Sequence, residues 1–441
     1  MKVAVIGAGW AGCAAAVEAT RRGHQVTLLE ATPTAGGRAR RVDIGGMVLD
    51  NGQHILIGAY SETLKFMAAL GVDERSVLLR MPLTMQFSDG SGLRLPSSSF
   101  LPAPLNALVG IVVARGWSWL DKLSLLKTAT VWQLQRFQCP PEQSVADVCQ
   151  DVSPKIMSTL IEPLCVSALN TPPDRASGQV FLRVMRDALF SSSGGSNLLL
   201  PRVDLSALMP DAALAWLQRH GGNVILGARV QGMASSDTGW TLACAGAKCS
   251  DLFDRVVLAC PPAEAARLAA SSALPCEAWL AQARGLAHEA IATVYLQINQ
   301  INLVDLGSLG KGPGATGLCQ PMLALRSNQE HPAQFVFDRG QLGGPPGLLA
   351  FVVSASVGDA ATLTRQVVAQ ADAQLGLTDL EAIQTIVEKR ATFACCPGLT
   401  RPGLHVARGL LACGDYIEGP YPATLEGAVR SGLNAGQQLK F

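Results

Sequence analysis

Apolar runs at the start of the chain alternate with glycine and polar turns. Residues 3–6 form a continuous apolar run that is typical of a strand buried on both faces, and the alanine-rich run at 13–20 predicts a helix. Gly23 stands where that helix would end, and residues 26–29 repeat the pattern of a buried strand. The order strand, turn, helix, strand predicts a parallel β-α-β unit.

Two later regions carry the same kind of pattern. Residues 221–233 predict a turn and two short strands, and residues 254–262 predict a buried strand that prolines stop. Near the C-terminus, residues 410–436 predict a strand, a Gly-Asp pair, a loop and a helix that starts near Thr424. We therefore expect one α/β domain assembled from three pieces of chain: residues 1–60, 205–285 and 386–441.

The two regions between these pieces have different patterns. Region 61–204 is mainly helical in its spacing of apolar residues, whereas region 286–385 contains strands at 289–298 and 347–357 and a helix at 360–375. Strands and helices in separate runs are typical of an α+β arrangement. We predict that the two insertions together form a substrate-binding domain of antiparallel sheet with helices.

The turn after the first strand has the spacing G-x-G-x-x-G, formed by Gly7, Gly9 and Gly12. The first glycine permits a tight turn, the second allows close approach of a pyrophosphate, and the third lets the helix pack on the strand. Glu30 lies 18 residues after Gly12, where a carboxylate can accept both hydroxyls of a ribose. The motif predicts a Rossmann-type dinucleotide site, to which we assign Gly7, Gly9, Ala11, Gly12, Glu30 and Ala31.

A second glycine turn follows the acid. The sequence GGRARR begins at Gly36, six residues after Glu30, and places Gly37 and Arg38 where they can reach a phosphate. This doubled pattern is typical of FAD-binding chains in the amine oxidase and phytoene desaturase superfamily, which the sequence resembles. The resemblance implies an α/β fold: a Rossmann-type FAD-binding domain of the glutathione reductase and amine oxidase type, with an inserted α+β substrate domain.

The resemblance also implies cofactor contacts in the later pieces of the chain. Val230 matches the backbone position that holds the adenine ring, and Asp415, after Gly414, matches the acid that binds the ribityl chain. Leu425 and Glu426 begin a helix whose positive end would face the N1 edge of the flavin. A helix so placed would stabilise the negative charge of the reduced cofactor.

Residues 50–54 read DNGQH and stand directly before an apolar run. In the superfamily the corresponding strand runs beneath the flavin, which implies that Gly52 allows close approach and that Gln53 and His54 bond to flavin or substrate. The alternative interpretation is structural, because Asp50 can cap a turn and His54 can be an ordinary buried histidine.

Five longer segments resemble the hydroxysqualene dehydroxylase family, the squalene-associated flavoproteins of this superfamily. They are residues 50–60, 164–177, 198–217, 388–402 and 414–432. The resemblance implies an FAD-dependent oxidoreductase that converts hydroxysqualene to squalene in squalene and hopanoid biosynthesis, in the cytoplasm or peripherally on the inner face of the cell membrane. Such a substrate offers one hydroxyl and otherwise requires a long apolar tunnel, which the aliphatic insertions favour.

The implied reaction leads to a hypothesis about catalysis. Protonation of the allylic hydroxyl lets water leave while the double bond stabilises the positive charge, and hydride from reduced flavin takes its place. His54 is the first candidate for the acid, with Asp50 as its orienting partner, and Glu162 and Tyr421 are weaker candidates. Three alternatives remain open: a polyene desaturase, a porphyrinogen or amine oxidase, and a lipid carrier without redox chemistry.

Composition excludes several other classes of protein. The chain of 441 residues is 49% hydrophobic and 16% charged, which argues against disorder. Its 35 basic and 34 acidic residues give no net field that would attract nucleic acid. The 12 cysteines have no C-x-x-C spacing, so we expect a reducing cytoplasm and neither a metal site nor a disulfide framework. The electron donor that reduces the flavin is not specified by the sequence.

The apolar content also raises the question of membrane contact. No window of the sequence approaches the ~18 apolar residues that a membrane span requires. The nearest approach is the segment 105–120, which contains Arg115 and ends in Trp117 and Trp119. This segment is either a helix that lies flat in a headgroup layer or a buried helix of a lipid-binding domain.

Overall fold

The computed structural model describes residues 1–96, 104–190, 194–245, 251–299 and 316–440. Its strands are β1 (Lys2–Ile6), β2 (Gln25–Leu29), β3 (Arg41–Ile44), β4 (Met47–Asp50), β5 (Leu56–Ile57), β6 (Leu78–Met81), β7 (Thr84–Gln86), β8 (Gly92–Arg94), β9 (Leu198–Pro201), β10 (Asn223–Ile225), β11 (Arg229–Ser236), β12 (Gly239–Ala245), β13 (Arg255–Leu258), β14 (His288–Ile298), β15 (Met322–Ala324), β16 (Phe335–Asp338), β17 (Leu348–Ser354), β18 (Leu380–Phe393), β19 (His405–Ala407) and β20 (Leu410–Ala412). Its helices are α1 (Trp10–Arg21), α2 (Ser61–Ala69), α3 (Glu74–Val77), α4 (Leu105–Val113), α5 (Trp119–Leu134), α6 (Val145–Val148), α7 (Pro154–Ile156), α8 (Glu162–Leu169), α9 (Gly178–Leu189), α10 (Leu205–Leu208), α11 (Pro210–Arg219), α12 (Pro262–Ser271), α13 (Glu277–Arg284), α14 (Ala360–Leu375) and α15 (Leu425–Gln438).

One part of the molecule is built on a six-stranded sheet, with the strand order β10-β2-β1-β13-β20-β19. Its strands are parallel except β19, which pairs antiparallel to β20. After Lys2, every residue of β1 is buried, as the continuous apolar run predicts for a central parallel strand. The strands come from all three predicted pieces of the α/β domain, and the predicted α/β fold class is confirmed.

The first and last helices of the chain pack directly against each other. A Cβ atom on Gly432 of α15 would lie 2.1 Å from the Ala11 carbonyl oxygen of α1, and one on Gly436 would lie 2.7 Å from the Cβ of Glu18. Only glycine at these positions permits the observed approach of the two backbones. This crossing brings the N-terminal glycine turn and the C-terminal Gly-Asp segment to the same region of the molecule.

A second part of the molecule is built on a five-stranded antiparallel sheet, with the strand order β15-β16-β17-β14-β18. Alternate residues of β14 face opposite sides, so Val294 and Leu296 share a core with Leu363 and Val367 of α14. The other face of β14 carries Tyr295, which belongs to the core shared with the six-stranded sheet. The predicted strands and helix of region 286–385 are therefore present. One face of their sheet packs into the core that it shares with the six-stranded sheet.

Two of the predicted domain boundaries do not coincide with breaks in the structure. The boundary between residues 385 and 386 falls inside β18, which pairs with β14 from Leu380 to Phe393. After the boundary at residue 60, Phe66 and Met67 of α2 pack into the same core as β1 and α1. The division of the chain into two domains stays a prediction.

The segment 105–120 is not one continuous helix. Helix α4 ends at Val113, and α5 begins at Trp119. Among the described helices, none is long and apolar enough to cross a membrane. Of the described cysteines, Cys244 is disulfide-bonded and the rest carry free thiols.

Candidate functional site

The first glycine turn connects β1 to α1 at the carboxyl edge of the parallel sheet. Gly7 has a φ of 108°, and a Cβ on it would lie 2.7 Å from the carbonyl oxygen of Ala259. A Cβ on Gly12 would lie 1.9 Å from the carbonyl oxygen of Gly7. The turn therefore requires glycine at both positions, and α1 begins directly after Gly9 with its first amides at the turn.

Glu30 lies at the end of β2, beside this turn. One carboxylate oxygen accepts a hydrogen bond from the Ala8 amide at 2.8 Å, and the other accepts from the amide and the hydroxyl of Thr32, each at 2.9 Å. These bonds hold the carboxylate against the glycine turn, with Ala31 exposed next to it. The position suits the predicted ribose contact, which stays a prediction.

The second glycine turn lies against the first. The Gly36 amide donates to the carbonyl oxygen of Ala8 at 2.8 Å, and Gly9 and Gly36 form an isolated parallel bridge. A Cβ on Gly37 would lie 3.2 Å from the Cα of Gly9. The two turns thus form a cradle lined by backbone, in which an anionic group can approach amide donors closely.

Arg38 joins the N-terminal turns to the C-terminal piece of the chain. Its guanidinium donates to a carboxylate oxygen of Asp415 at 2.6 Å and to the carbonyl oxygen of Ala391 at 2.7 Å. Asp415 is buried and follows β20. The structure therefore brings together the predicted residues from both termini, although Arg38 is held by Asp415 and its contact with a phosphate stays a prediction.

The start of α15 presents backbone amides, whereas the side chain of Glu426 points elsewhere. Thr424 caps the helix by accepting from the Gly427 amide at 3.0 Å. The fully buried carboxylate of Glu426 accepts from the Thr63 amide and hydroxyl at 2.9 and 2.7 Å and from the Glu62 amide at 3.1 Å. The side chain of Glu426 therefore caps α2 and is not available to a cofactor. Only the backbone amides of Leu425 and Glu426 could contribute to the predicted cofactor contact.

Val230 lies in the two-stranded β11-β12 hairpin beyond β10. It is buried, its ladder contains a bulge between Val230 and Gly232, and its carbonyl oxygen accepts from the guanidinium of Arg267 at 3.2 Å. The predicted contact between this backbone and an adenine ring stays a prediction.

The residues of the cradle fit FAD. The buried hydroxyl of Tyr416, the neighbour of Asp415, has no hydrogen-bond partner within the described residues. Its ring packs on Gly414, where a Cβ would lie 2.5 Å from a ring carbon. A buried hydroxyl without a protein partner can bond to a polar ligand, and the backbone amides of the cradle with one guanidinium suit a pyrophosphate.

Asp50 begins the DNGQH segment at the end of β4 and is 3% exposed. Its carboxylate accepts from the Leu205 amide at 2.9 Å and lies 3.5 Å from the guanidinium of Arg339. Burial raises the pKa of Asp50 to about 6, and the charge of Arg339 opposes that rise. The prediction that Asp50 orients His54 is wrong, because the Asp50 carboxylate is held by Leu205 and Arg339 instead. A catalytic role of Asp50 itself stays a prediction.

A closed chain of polar contacts fixes this segment to the five-stranded sheet. Arg339 donates to the Gln53 amide oxygen at 3.2 Å, and the Gln53 amide nitrogen donates to the Tyr295 hydroxyl at 3.1 Å. The Tyr295 hydroxyl in turn donates to the carbonyl oxygen of Asp50 at 2.8 Å. These four side chains, which we call the polar ring, connect β4 with β14 and with the turn after β16.

His54 and Thr293 border the same space above Gly52. The nearest atoms to a Cβ on Gly52 would be the Thr293 Oγ1 at 3.8 Å and the His54 Cε1 at 3.9 Å. The His54 Nδ1 lies 3.1 Å from the Gly52 carbonyl oxygen, so Nδ1 carries a proton and Nε2 remains for a ligand. Burial lowers the pKa of His54, and the charge of Arg38 adds to that effect. The imidazole is therefore neutral near pH 7.

The hydroxyl of Thr293 is buried beside Gly52 without a hydrogen bond to any described residue. Its side chain is 1% exposed, and Oγ1 has no hydrogen-bond partner in the described part of the chain. Its cross-strand neighbours are Val352 on β17 and Ile386 on β18, both apolar. A buried hydroxyl among aliphatic side chains costs free energy unless a ligand bonds to it.

The two weaker candidates for the acid have other surroundings. Glu162 is exposed at the start of α8. The Tyr421 hydroxyl donates to the Asp187 carboxylate at 2.8 Å, and the guanidinium of Arg430 lies 5.0 Å from the centre of its ring. Burial and the Asp187 carboxylate raise the pKa of Tyr421, so its proton is firmly held.

Sequence reasoning missed the contribution of the inserted sheet to this site. The missed residues are Thr293, Tyr295, Arg339 and Glu388, the last of which accepts from the Asn51 amide at 3.3 Å. A signal for two of them was present, because Thr293, Tyr295 and Gln297 alternate with aliphatic residues and so share one face of a strand.

The structure contains one cavity at the polar ring and another beside α4. One of about 480 Å³ is lined by Asp50, Tyr295 and Arg339 of the polar ring together with β4 and the start of β17. The other, of about 530 Å³, is lined by Arg94, Arg115 and Val113 beside α4. Neither is the long apolar tunnel that the sequence predicts, and the tunnel stays a prediction.

Together, the parallel sheet, the doubled glycine cradle and the sheet that faces the DNGQH segment define an FAD-dependent oxidoreductase. Residues 10–440 match the family described as flavin-containing amine oxidoreductase, and the chain belongs to that family.

Comparison with individual proteins agrees with this assignment. A hydroxysqualene dehydroxylase from Rhodopseudomonas palustris is 27% identical over 98% of this chain and 97% of its own length. A probable zeta-carotene desaturase from Synechococcus elongatus is 32% identical, but over only 28% of this chain and 26% of its own. The crystal structure of an oxidoreductase from Methanosarcina mazei has the same fold, with a TM-score of 0.71, 18% identity, and coverage of 99% of this chain and 100% of that chain.

Proposed function

We propose that the protein removes the allylic hydroxyl of hydroxysqualene and replaces it with hydrogen, giving squalene for squalene and hopanoid biosynthesis. The single observation that carries the proposal is the pair of polar groups, His54 and Thr293, that both lie beside Gly52, where Thr293 has the aliphatic cross-strand neighbours Val352 and Ile386. The similarity to a hydroxysqualene dehydroxylase over 98% of the chain supports the same substrate.

The polarity of this space matches a substrate with one hydroxyl. The Thr293 hydroxyl, which no described residue bonds to, can bond to the substrate oxygen, and the aliphatic neighbours Val352 and Ile386 can contact the carbon chain. Burial of each CH₂ group contributes about 0.8 kcal/mol, so the chain supplies most of the binding free energy. The hydroxyl contacts then set which carbon lies at the reacting position.

His54 has the arrangement that an acid for this reaction requires. The Gly52 carbonyl holds Nδ1–H, so a second proton on Nε2 is free to pass to the substrate hydroxyl, which leaves as water when the C–O bond breaks. FAD, when bound and reduced, would supply the hydride equivalent that forms the new C–H bond. Burial of His54 lowers its pKa and so makes the imidazolium a stronger acid. The reaction also requires that water be kept from the cation.

The proposal is tested with purified protein that retains its flavin. The protein is reduced chemically without oxygen and mixed with hydroxysqualene, and the products are extracted and identified by mass spectrometry. We expect squalene in an amount equal to the flavin that is reoxidised. If hydroxysqualene remains unchanged while the oxidised protein instead introduces double bonds into a polyene, the desaturase alternative is correct.

A further inference from the structure

Helix α4 has its apolar residues on the wrong side for a helix of a water-soluble domain. The residues that it buries are Asn106, Ala107 and Gly110, and a Cβ on Gly110 would lie 2.5 Å from the Leu95 side chain. Its large side chains Leu105 and Leu108 are exposed instead, at 49% and 44%. The protein-facing side is thus small or polar and the outward side is aliphatic, which is the reverse of ordinary helix amphipathicity.

The start of α5 extends this apolar surface. Trp119, Leu120 and Leu123 are 66%, 79% and 57% exposed. The Lys122 ammonium donates to the Val112 carbonyl oxygen at the end of α4 at 2.6 Å and lies 4.9 Å from the centre of the Trp119 ring. Lys122 therefore fixes the end of α4 to the first turn of α5. We call the exposed residues Leu105, Leu108, Val113, Trp119, Leu120 and Leu123 the apolar patch.

Positive charge borders the apolar patch. Arg94 and Arg115 are exposed and line the cavity of about 530 Å³ that Val113 also lines. Neither guanidinium has a carboxylate partner among the described ion pairs, whereas Lys127 on α5 is paired with Asp151. The whole chain has a formal net charge of only +1, so this concentration of unpaired cations is local.

We infer that the apolar patch inserts into the surface of a phospholipid bilayer and that Arg94 and Arg115 bind the phosphate of an anionic lipid headgroup. Aliphatic side chains with an exposed tryptophan suit the boundary between acyl chains and headgroups, and flanking arginines suit a negative surface. A second copy of the chain fits less well, because it would bring a second set of the same two arginines to the interface. This inference goes beyond the proposed reaction and does not depend on it.

Flotation of the flavin-bound protein with vesicles tests the inference without any substrate. Wild-type protein should float with vesicles of equal parts phosphatidylcholine and phosphatidylglycerol and bind vesicles of phosphatidylcholine alone more weakly. The double variant L120S/L123S should lose about tenfold or more in partitioning. The matched control is Val357→Ser, because Val357 is 85% exposed but lies outside the apolar patch, and it should bind like wild type.

The headgroup contact is tested separately with Arg94→Gln and Arg115→Gln. Each should weaken binding to the anionic vesicles by about fivefold and leave binding to neutral vesicles unchanged. Displacement by inorganic phosphate at constant ionic strength would instead assign the arginines to a free anion. Wild-type protein that fails to float, or L120S/L123S that floats like wild type, overturns the inference. So does a wild-type dimer, seen by light scattering, that the double variant abolishes.

Discussion

Thr293 provides a prediction that separates a ligand-binding hydroxyl from a structural one. Thr293→Val keeps the shape of the side chain but removes a buried hydroxyl that has no hydrogen-bond partner among the residues that the structure describes. We expect kcat/KM for hydroxysqualene to fall by about tenfold to a hundredfold, while the free energy of unfolding without substrate stays the same or rises. Steady-state kinetics and urea unfolding measure the two effects, and the flavin spectrum reports retention of FAD.

The control is Thr392→Val on the neighbouring strand. The Thr392 hydroxyl accepts from the Asn170 amide at 3.0 Å, so its removal should lower the free energy of unfolding by about 1 kcal/mol and leave kcat/KM unchanged. A Thr293→Val protein that is less stable but fully active would show that Thr293 is structural.

The pH dependence of turnover tests His54 as the acid. Burial lowers its pKa below the ordinary value of about 6.5, and the reaction needs the protonated form. We therefore expect kcat/KM to be highest at low pH and to fall as the pH rises through the pKa of His54. His54→Gln can keep the bond to the Gly52 carbonyl but should lose this pH dependence and most of the activity. A His54→Gln protein with the wild-type profile would assign the proton to another group.

At the level of residues, the sequence predicted the contacts that depend on local sterics and missed those between distant segments. A Cβ on Gly12 would clash with the Gly7 carbonyl oxygen of the same turn, and Gly7 has a positive φ, so both requirements are local and the spacing is visible in the sequence. Asp50 was instead paired with His54 because the two are close in sequence. Its actual partners, Leu205 and Arg339, come from elements whose position only the fold determines.

At the level of elements, the crossing of α1 and α15 predicts that a glycine-to-alanine substitution in a helix will lower the free energy of unfolding instead of raising it. Alanine normally replaces glycine in a helix with a gain of about 1 kcal/mol. Gly432→Ala should instead lower the free energy of unfolding by about 1–3 kcal/mol, because the new Cβ would lie 2.1 Å from the Ala11 carbonyl oxygen. The helices must separate, so the affinity for FAD should fall as well. Urea unfolding and titration of the apoprotein with FAD measure both.

Gly403→Ala is the control, because a Cβ on Gly403 meets no atom of the described residues within 4 Å. It should change neither stability nor FAD affinity appreciably. If Gly432→Ala stabilises the protein as an ordinary helical substitution would, the crossing does not position the two halves of the cradle.

The elements themselves were largely predictable, and the exception has a physical reason. β1, β2 and β13 are buried runs, so their apolar residues are continuous in the sequence. β18 has no such run, because most of its residues are half-buried or exposed and it includes Glu388, Lys389 and Arg390. A predicted boundary was therefore placed inside a strand that hydrogen bonding to β14, rather than burial, defines.

At the level of the whole molecule, the polar ring connects the two sheets and makes their contact sensitive to pH. Arg339 is the cation that offsets the buried charge of Asp50, whose folded-state pKa is raised to about 6 by burial. A carboxyl with a raised pKa contributes stability below its unfolded-state pKa and loses that contribution as the pH rises through the folded-state value. Loss of Arg339 raises the pKa of Asp50 further, since the opposing charge is gone.

Arg339→Met should therefore destabilise the protein in a pH-dependent way. Well above pH 6, where Asp50 must carry a buried and uncompensated charge, we expect the free energy of unfolding to fall by about 3–5 kcal/mol. Well below that value Asp50 is protonated, and the loss should be much smaller. Adding Asp50→Asn to Arg339→Met should remove most of this pH dependence, because no titrating carboxyl remains in the ring. Urea unfolding of the two variants across this pH range measures the effect, and a loss that is equal at every pH would show that Arg339 acts through packing rather than through its charge.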